Sequence, residues 1–301
     1  MQRGFLEVNL STLPVRITDL LQQHNGGNYA QSNHQDDEKR TANFHVVNGL
    51  VAGRQNLHID CGADGRGNGH VLVMLSTITG QMMTEKALCD AIDVYNAHNA
   101  AMREFADLAN DHLDVITPKV RHAVMKSAFF FAKDEHTAIV QELIDGLKQL
   151  PAYKFTGKKV ILTGITGEPD EMLEIFAENN IAVVGDDLAQ EMRQYRTDTP
   201  EKGGGGLRRL ALQWNLRHGC SLIHEDGKPR GVMLVRLCGE NDASGVVNCL
   251  MKFCDPEEYD QPYFESDLRA AGYPTLTIEV DTQNTSYEQI RTRVQAFCEM
   301  L

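Results

Sequence analysis

The sequence lacks the features of membrane, secreted and nucleic-acid-binding proteins. No uninterrupted apolar run approaches the roughly 20 residues that a membrane-spanning helix needs. The N-terminal stretch MQRGFLEVNL has no apolar core of a signal peptide. The formal net charge of the 301 residues is -13, and a negative surface repels polyphosphate and anionic lipid. We therefore expect a cytoplasmic protein whose partners are a small molecule or another protein, with no nucleic acid and no membrane.

The cysteines lack the spacing of a disulfide framework or of a self-contained metal motif. Their number is odd and no C-x-x-C pair occurs, which is typical of reduced thiols and argues against a zinc site or a two-cluster ferredoxin. The glycine-rich segments GADGRGNG and GGGG match neither a dinucleotide-binding nor a phosphate-binding loop. The seven cysteines are Cys61, Cys89, Cys220, Cys238, Cys249, Cys254 and Cys298.

Three regions differ in composition and in hydrophobic pattern. Residues 1–76 hold five of the eleven histidines and keep neither helical nor strand periodicity, so we expect an atypical segment that is disordered or foreign to the rest. Residues 77–151 are predicted to be helical, with a helix that starts at Thr84 and two more over about 118–131 and 134–150. Residues 152–301 are predicted to form an α/β domain.

The α/β domain is predicted from apolar strands that alternate with helices. Such a pattern requires a parallel sheet covered on both faces, because parallel strands need crossover connections. The sequence therefore predicts a doubly wound, four-stranded parallel sheet preceded by a helical region. The strands are expected at 158–165, 181–188, 245–253 and 275–281. The helices are expected after Pro169 and at about 187–197, 207–217, 230–240, 256–271 and the C-terminus.

Cys254 is the candidate site residue. It follows the third predicted strand in KFCDPEEYD, and ligands of such sheets bind beyond the carboxyl ends of the strands. Asp255 is predicted to cap the next helix, with Pro256 in the first turn and Glu258 completing a capping box. A helix N-terminus beside the sulfur favours the thiolate, the form that a metal or a nucleophilic step needs. The alternative is that Cys254 packs as a small hydrophobic residue.

Other residues near the predicted rim have simpler interpretations. Cys249 is predicted to lie in the core. Asp186 and Asp187 are predicted to cap the following helix. Arg193 and Arg196 are predicted to lie on a solvated helix face, with CoA phosphates or a partner surface as the alternative. The turn GITGEP offers backbone amides for an anion, or serves as an ordinary turn.

Three segments resemble the 2-hydroxyacyl-CoA dehydratase family, which also contains benzoyl-CoA reductase subunits. They are MKFCDPEEYDQPYF, VVGDDLAQEMRQYRTDTP and RTRVQAFCEML, and the helical stretch after Ile78 is also similar. The likeness covers about residues 78–301. Within the family, the sequence resembles the beta-type subunit of (R)-2-hydroxyglutaryl-CoA dehydratase.

The resemblance implies a radical hydro-lyase built from two homologous subunits. Each subunit of the family holds a 4Fe-4S cluster by three cysteines, and Cys254 matches one of them. An ATP-dependent iron-sulfur activator supplies one electron, the acyl-CoA substrate becomes a ketyl radical, and its hydroxyl group leaves. The resemblance thus implies a 4Fe-4S cofactor, an alpha-type partner subunit and conversion of (R)-2-hydroxyglutaryl-CoA to glutaconyl-CoA.

The sequence also departs from the family pattern. Ala189 stands where some relatives carry a cysteine, and residues 1–76 show neither the family's N-terminal α/β domain nor its cysteine motifs. We therefore expect a truncated or frame-disrupted chain with a foreign peptide joined near Thr77. A benzoyl-CoA reductase-type subunit and a non-catalytic interaction lobe stay open as alternatives.

Overall fold

The structure is a computed structural model that describes residues 83–223, 225, 227–281 and 287–301. The prediction for residues 1–76 and the expected junction near Thr77 lie outside these residues. Within the described part of the chain, every helix is too short or too polar to cross a bilayer.

The region before the sheet is helical, as predicted. Helices α1 (Glu85–Ala109), α2 (Pro118–Ser127) and α3 (Lys133–Leu147) pack around an apolar cluster that includes Met102 and Phe105. Thr84 caps α1 by accepting a hydrogen bond from the Ala87 amide at 3.1 Å, so the predicted start is confirmed. The second and third helices are shorter than predicted at their C-terminal ends.

A chain of hydrogen bonds runs through the interior of this helical region. Ser127 Oγ donates to the Val124 carbonyl at 2.7 Å, so it accepts a hydrogen bond from His136 Nε2 at 2.7 Å. His136 Nδ1 then accepts from His98 Nε2 at 2.8 Å. Burial and the nearby Lys133 charge lower the pKa of His136 to about 4, and the same effects, with His136, lower the pKa of His98 to about 3. Both imidazoles are therefore neutral at physiological pH.

This histidine pair predicts that the protein loses stability in mild acid. An unfolded histidine titrates near 6.5, so below that pH the unfolded chain binds protons that the folded pair rejects. The free energy of unfolding is expected to fall as the pH drops from about 6.5 toward 4, by about 1 kcal/mol per histidine at about pH 5.5. Urea unfolding at about pH 7.5 and pH 5.5 measures this loss. His98→Gln should flatten the pH dependence, because the variant has one fewer buried histidine. Equal slopes in the wild-type protein and in this variant would contradict this account.

In the described residues, four parallel strands form one sheet in the order β2-β1-β3-β4. Helices cover both faces: Phe176 and Val294 pack on one, and Leu234 and Phe264 on the other. The predicted doubly wound sheet is confirmed. The strands are β1 (Lys158–Gly164), β2 (Ile181–Leu188), β3 (Gly245–Met251) and β4 (Thr275–Val280). The helices of this part are α4 (Asp170–Glu178), α5 (Met192–Tyr195), α6 (Gly206–Asn215), α7 (Arg230–Glu240), α8 (Asp255–Ala270) and α9 (Glu288–Met300).

Two predicted boundaries are wrong near the carboxyl edge of the sheet. The helix expected at 187–197 is a single turn, because β2 continues through Leu188. The third strand ends at Met251 rather than at residue 253. By contrast, Gly272 follows α8 with φ +85°, as expected for the residue that ends a helix in the left-handed conformation.

The sheet order reverses between β1 and β3, and the carboxyl edge at this point is called the crevice below. The chain winds from β1 to β2 on one side and returns to β3 on the other, and ligands of open α/β sheets bind where the winding reverses. The two strands approach closely at this point. Gly164 ends β1 with φ +126°, and a Cβ atom there would lie 2.1 Å from the Cys249 carbonyl oxygen.

Candidate functional site

Cys254 lies beside this crevice, three residues beyond the end of β3. Its amide donates to the Met251 carbonyl at 3.1 Å, which closes a tight turn in which Phe253 has φ +67°. Cys254 is half-buried, whereas Cys249 within β3 is fully buried. The prediction that Cys249 belongs to the core is therefore confirmed. Because of the turn, strand alternation does not decide where Cys254 points.

Cys254 is itself the N-cap of α8. The helix begins at Asp255, and the Glu258 amide donates to the Cys254 carbonyl at 3.0 Å. The prediction that Asp255 is the N-cap is wrong, and no side chain of the described residues caps this helix end. Asp255 lies inside the first turn with Glu257 and Glu258, where three acidic residues complement the helix dipole.

Asp187 is the centre of a buried ionic cluster at the same edge. It is inaccessible to solvent, and its Oδ2 atom lies 3.0 Å from both Arg193 Nη2 and Arg230 Nε. Arg196 pairs with the other carboxylate oxygen. Burial alone would raise the pKa of Asp187, but the guanidinium groups of Arg193, Arg196 and Arg230 hold it below its usual range.

Glu257 joins this cluster to the helix that starts at Cys254. Its Oε1 atom lies 3.2 Å from Arg193 Nη1 and accepts a hydrogen bond from Ser221 Oγ at 2.6 Å. Its Oε2 atom lies 2.7 Å from Arg230 Nη1. Arg230 also donates to Thr163 Oγ at the end of β1, at 2.9 Å. The ionic cluster, defined as Asp187, Arg193, Arg230 and Glu257, therefore links β1, β2, α5, α7 and α8.

The predictions for the paired aspartates and the arginines succeed only in part. Asp186 acts as a cap, because its Oδ1 atom accepts from the Leu188 amide at 3.2 Å and the Met192 amide at 2.9 Å. Asp187 caps no helix and binds guanidinium groups, whereas Asp186 in addition pairs with Arg121 at 2.7 Å. The solvated-face prediction is wrong for Arg193, whose side chain is 5% exposed, and Arg196 is half-buried against the same carboxylate.

Sequence reasoning missed a second buried polar group next to the turn GITGEP. His122 Nδ1 lies 2.7 Å from Glu191 Oε1, and both side chains are buried. His122 Nε2 lies 3.8 Å from Glu168, which also pairs with Lys126. Glu168 and Glu191 place negative charge beside the turn, so an ordinary turn fits it better than an anion site. No sequence signal connects His122 with Glu191, since 69 residues separate them.

The donor atoms at this edge do not make a complete metal site. No group of three or more His, Cys, Asp or Glu residues among those described is arranged to hold a metal ion. A 4Fe-4S cluster is held by several cysteine thiolates. Of the described cysteines, Cys238 and Cys249 are buried and burial raises their thiol pKa values, to about 12 for Cys238. Cys254 is half-buried beyond the end of β3, and a single cysteine is not a full ligand set.

Comparisons with known proteins agree with the sequence resemblance. Residues 69–301 match the family described as 2-hydroxyglutaryl-CoA dehydratase, D-component. The chain is 45% identical over 231 residues to the lactoyl-CoA dehydratase subunit beta of Anaerotignum propionicum, covering 77% of this chain and 62% of that protein. It is 44% identical to the (R)-phenyllactyl-CoA dehydratase beta subunit of Clostridium sporogenes, covering 75% and 60%. It is 36% identical to the (R)-2-hydroxyglutaryl-CoA dehydratase subunit beta of Acidaminococcus fermentans, covering 75% and 61%. The chain thus spans about three fifths of the length of the curated relatives it matches.

Proposed function

Because the chain belongs to the 2-hydroxyglutaryl-CoA dehydratase D-component family, we propose that it acts as the beta-type subunit of a 2-hydroxyacyl-CoA dehydratase, a hydro-lyase. The observation that carries this proposal is the family match over residues 69–301, which includes the doubly wound sheet and the Cys254 turn. The proposed partners are an alpha-type subunit and an ATP-dependent iron-sulfur activator, and the proposed substrate class is an acyl-CoA with a 2-hydroxyl group.

The acyl group of the substrate needs a test of its own. Identity to the lactoyl-CoA and phenyllactyl-CoA subunits is 45% and 44%, against 36% for the 2-hydroxyglutaryl-CoA subunit. The (R)-2-hydroxyglutaryl-CoA prediction therefore stays a prediction, and the assay should offer all three acyl groups. The product to detect is the corresponding 2-enoyl-CoA.

We further propose that Cys254 is one ligand of a 4Fe-4S cluster, which would supply one-electron chemistry to the complex. Cys254 is half-buried, is the N-cap residue of α8 and follows the carboxyl end of β3, where ligands of such sheets bind. The described residues supply no complete ligand set, so no step of the reaction is derived through the cluster. The chain's own contribution is to hold Cys254 next to the crevice between β1 and β3.

Iron analysis of the anaerobically purified complex tests this proposal. The chain is co-expressed with an alpha-type subunit, and iron, inorganic sulfide and visible absorbance are measured per subunit. Cys254→Ser is expected to lose the iron and sulfide of this subunit's cluster, because serine lacks the soft thiolate that clusters require. Cys298→Ser is the matched control, since that half-buried thiol lies on α9 and contacts the Asn179 carbonyl. Colourless wild-type protein without iron would favour a non-catalytic interaction lobe, and unchanged iron in Cys254→Ser would remove Cys254 from the ligand set.

A further inference from the structure

We propose that Glu257 is a positioning residue for Cys254. Its buried carboxylate, held by Arg193 and Arg230, fixes the first turn of α8 against the carboxyl edge of the sheet and so sets where the Cys254 thiol lies. The positioning itself follows from the contacts of the ionic cluster. Its value to a metal site rests on the function proposed above.

The first turn of α8 contains two glutamates with opposite environments. Glu257 is 1% exposed and Glu258 is exposed, although they are neighbours in sequence. An exposed glutamate in the first turn interacts with the helix dipole alone. Glu257 in addition contacts three side chains: Arg193, Arg230 and Ser221. These contacts fix the rotation of the helix about its axis.

The arginines that hold Glu257 are themselves fixed to the sheet. Arg193 Nη2 donates to the backbone carbonyls of Gly164 at 3.2 Å and Asp187 at 2.7 Å, at the ends of β1 and β2. Arg230 is held by Asp187 and Thr163, and its guanidinium group stacks over the Phe264 ring at 4.9 Å. Glu257 therefore connects the helix to the ends of β1 and β2, which lie at the same edge of the sheet as Cys254.

The rest of the Cys254 turn offers little additional restraint. Its backbone makes three hydrogen bonds among the described residues, one of which joins the Lys252 amide to the Val280 carbonyl of β4, and no described side chain caps the helix. Phe253, the preceding residue, is 85% exposed. Further along α8, Asp260 lies 3.6 Å from Arg230 and pairs with Lys228 at 2.7 Å. Among the described contacts, Glu257 is thus the strongest link between the first turn and the sheet edge.

Alkylation of the individual cysteines tests the proposal without iron or activity. The full chain is treated with iodoacetamide across a range of pH, and the modification rate of each cysteine is followed by peptide mass spectrometry. In Glu257→Gln, we expect Cys254 to react on the order of tenfold faster, because local opening of the turn controls access to the thiol. Glu258→Gln is the matched control and should behave like wild type.

The buried cysteines of β3 and α7 show whether a variant loosens only the first turn of α8 or the whole fold. Cys249 and Cys238 are buried, so they should stay unmodified if only the first turn loosens. Glu257→Asp, which keeps the charge, should restore part of the wild-type rate. Ser221→Ala is a milder variant that removes one hydrogen bond to Glu257, with an expected increase of about twofold to threefold. A Cys254 rate unchanged in both Glu257→Gln and Ser221→Ala, or an equal acceleration of Cys249, would overturn the proposal. Neither outcome bears on the iron measurement.

Discussion

Replacement of Asp187 by asparagine is expected to destabilise the α/β domain by about 3 to 5 kcal/mol, which is the usual cost of removing one partner from a buried ion pair. The side chain is inaccessible to solvent and is shared by Arg193, Arg196 and Arg230. Asparagine has nearly the same shape, so the change removes charge and not volume. In the variant, Glu257 would be the one carboxylate of the ionic cluster still paired with Arg193 and Arg230.

This expectation is tested by measuring the free energy of unfolding of Asp187→Asn and of the control Asp198→Asn in denaturant. Asp198 pairs with Arg103 at 2.7 Å, but its side chain is 42% exposed. Exposed ion pairs contribute at most about 1 kcal/mol, so Asp198→Asn should lose that much or less. Similar losses of unfolding free energy in the two variants would show that burial of the ionic cluster does not determine how much it contributes to stability.

Gly164→Ala is the second substitution with a large expected effect, about 4 kcal/mol of destabilisation. Its φ of +126° lies where residues with a Cβ atom are strained, and the new Cβ would meet the Cys249 carbonyl oxygen at 2.1 Å. Strain of this kind costs about 1 to 3 kcal/mol, and overpacking costs a similar amount. Relief of the clash requires β1 and β3 to separate at the crevice, so the edge beside Cys254 should loosen as well.

Gly146→Ala is the control for this experiment. Gly146 lies inside α3, and no neighbouring part of the described chain comes within 4 Å of the position that a Cβ atom would occupy there. Alanine favours the helix over glycine by about 0.5 to 1 kcal/mol, so this variant should be more stable than wild type. The thermal unfolding midpoint should therefore fall in Gly164→Ala and rise in Gly146→Ala. A neutral Gly164→Ala would mean that the two strands adjust to the methyl group without loss of packing.

The sheet could be predicted from the sequence because its signals are local. Apolar runs at β1, β2 and β3, together with Gly272 after α8, depend only on neighbouring residues. The end of β2 at Leu188 is predicted correctly, whereas the end of β3 at Met251 is not, since hydrogen bonds between strands decide where a strand ends. The same holds for the N-cap at Cys254, where the backbone turn at Phe253 moves the helix start by one residue.

The ionic cluster could not be predicted, because it depends on residues that are distant in the chain. Asp187 and Arg230 are 43 positions apart, and Arg193 and Glu257 are 64 apart. In sequence, Glu257 and Glu258 are equivalent acidic residues of a first turn, and only tertiary packing makes one of them a buried partner of two arginines. The family resemblance makes Cys254 a candidate ligand, but it does not indicate which side chains pack around the first turn of α8.

The ionic cluster also has a consequence for how the chain finds its fold. Its charges come from β2, α5, α7 and α8, so they meet only when each element has docked in the correct place. A misplaced helix would leave at least one charge in the interior without a counterion, at a cost of several kcal/mol. Hydrocarbon contacts tolerate sliding, whereas these fixed pairs do not. The cluster therefore discriminates between one arrangement of the elements and its near neighbours, whatever it adds to the net stability.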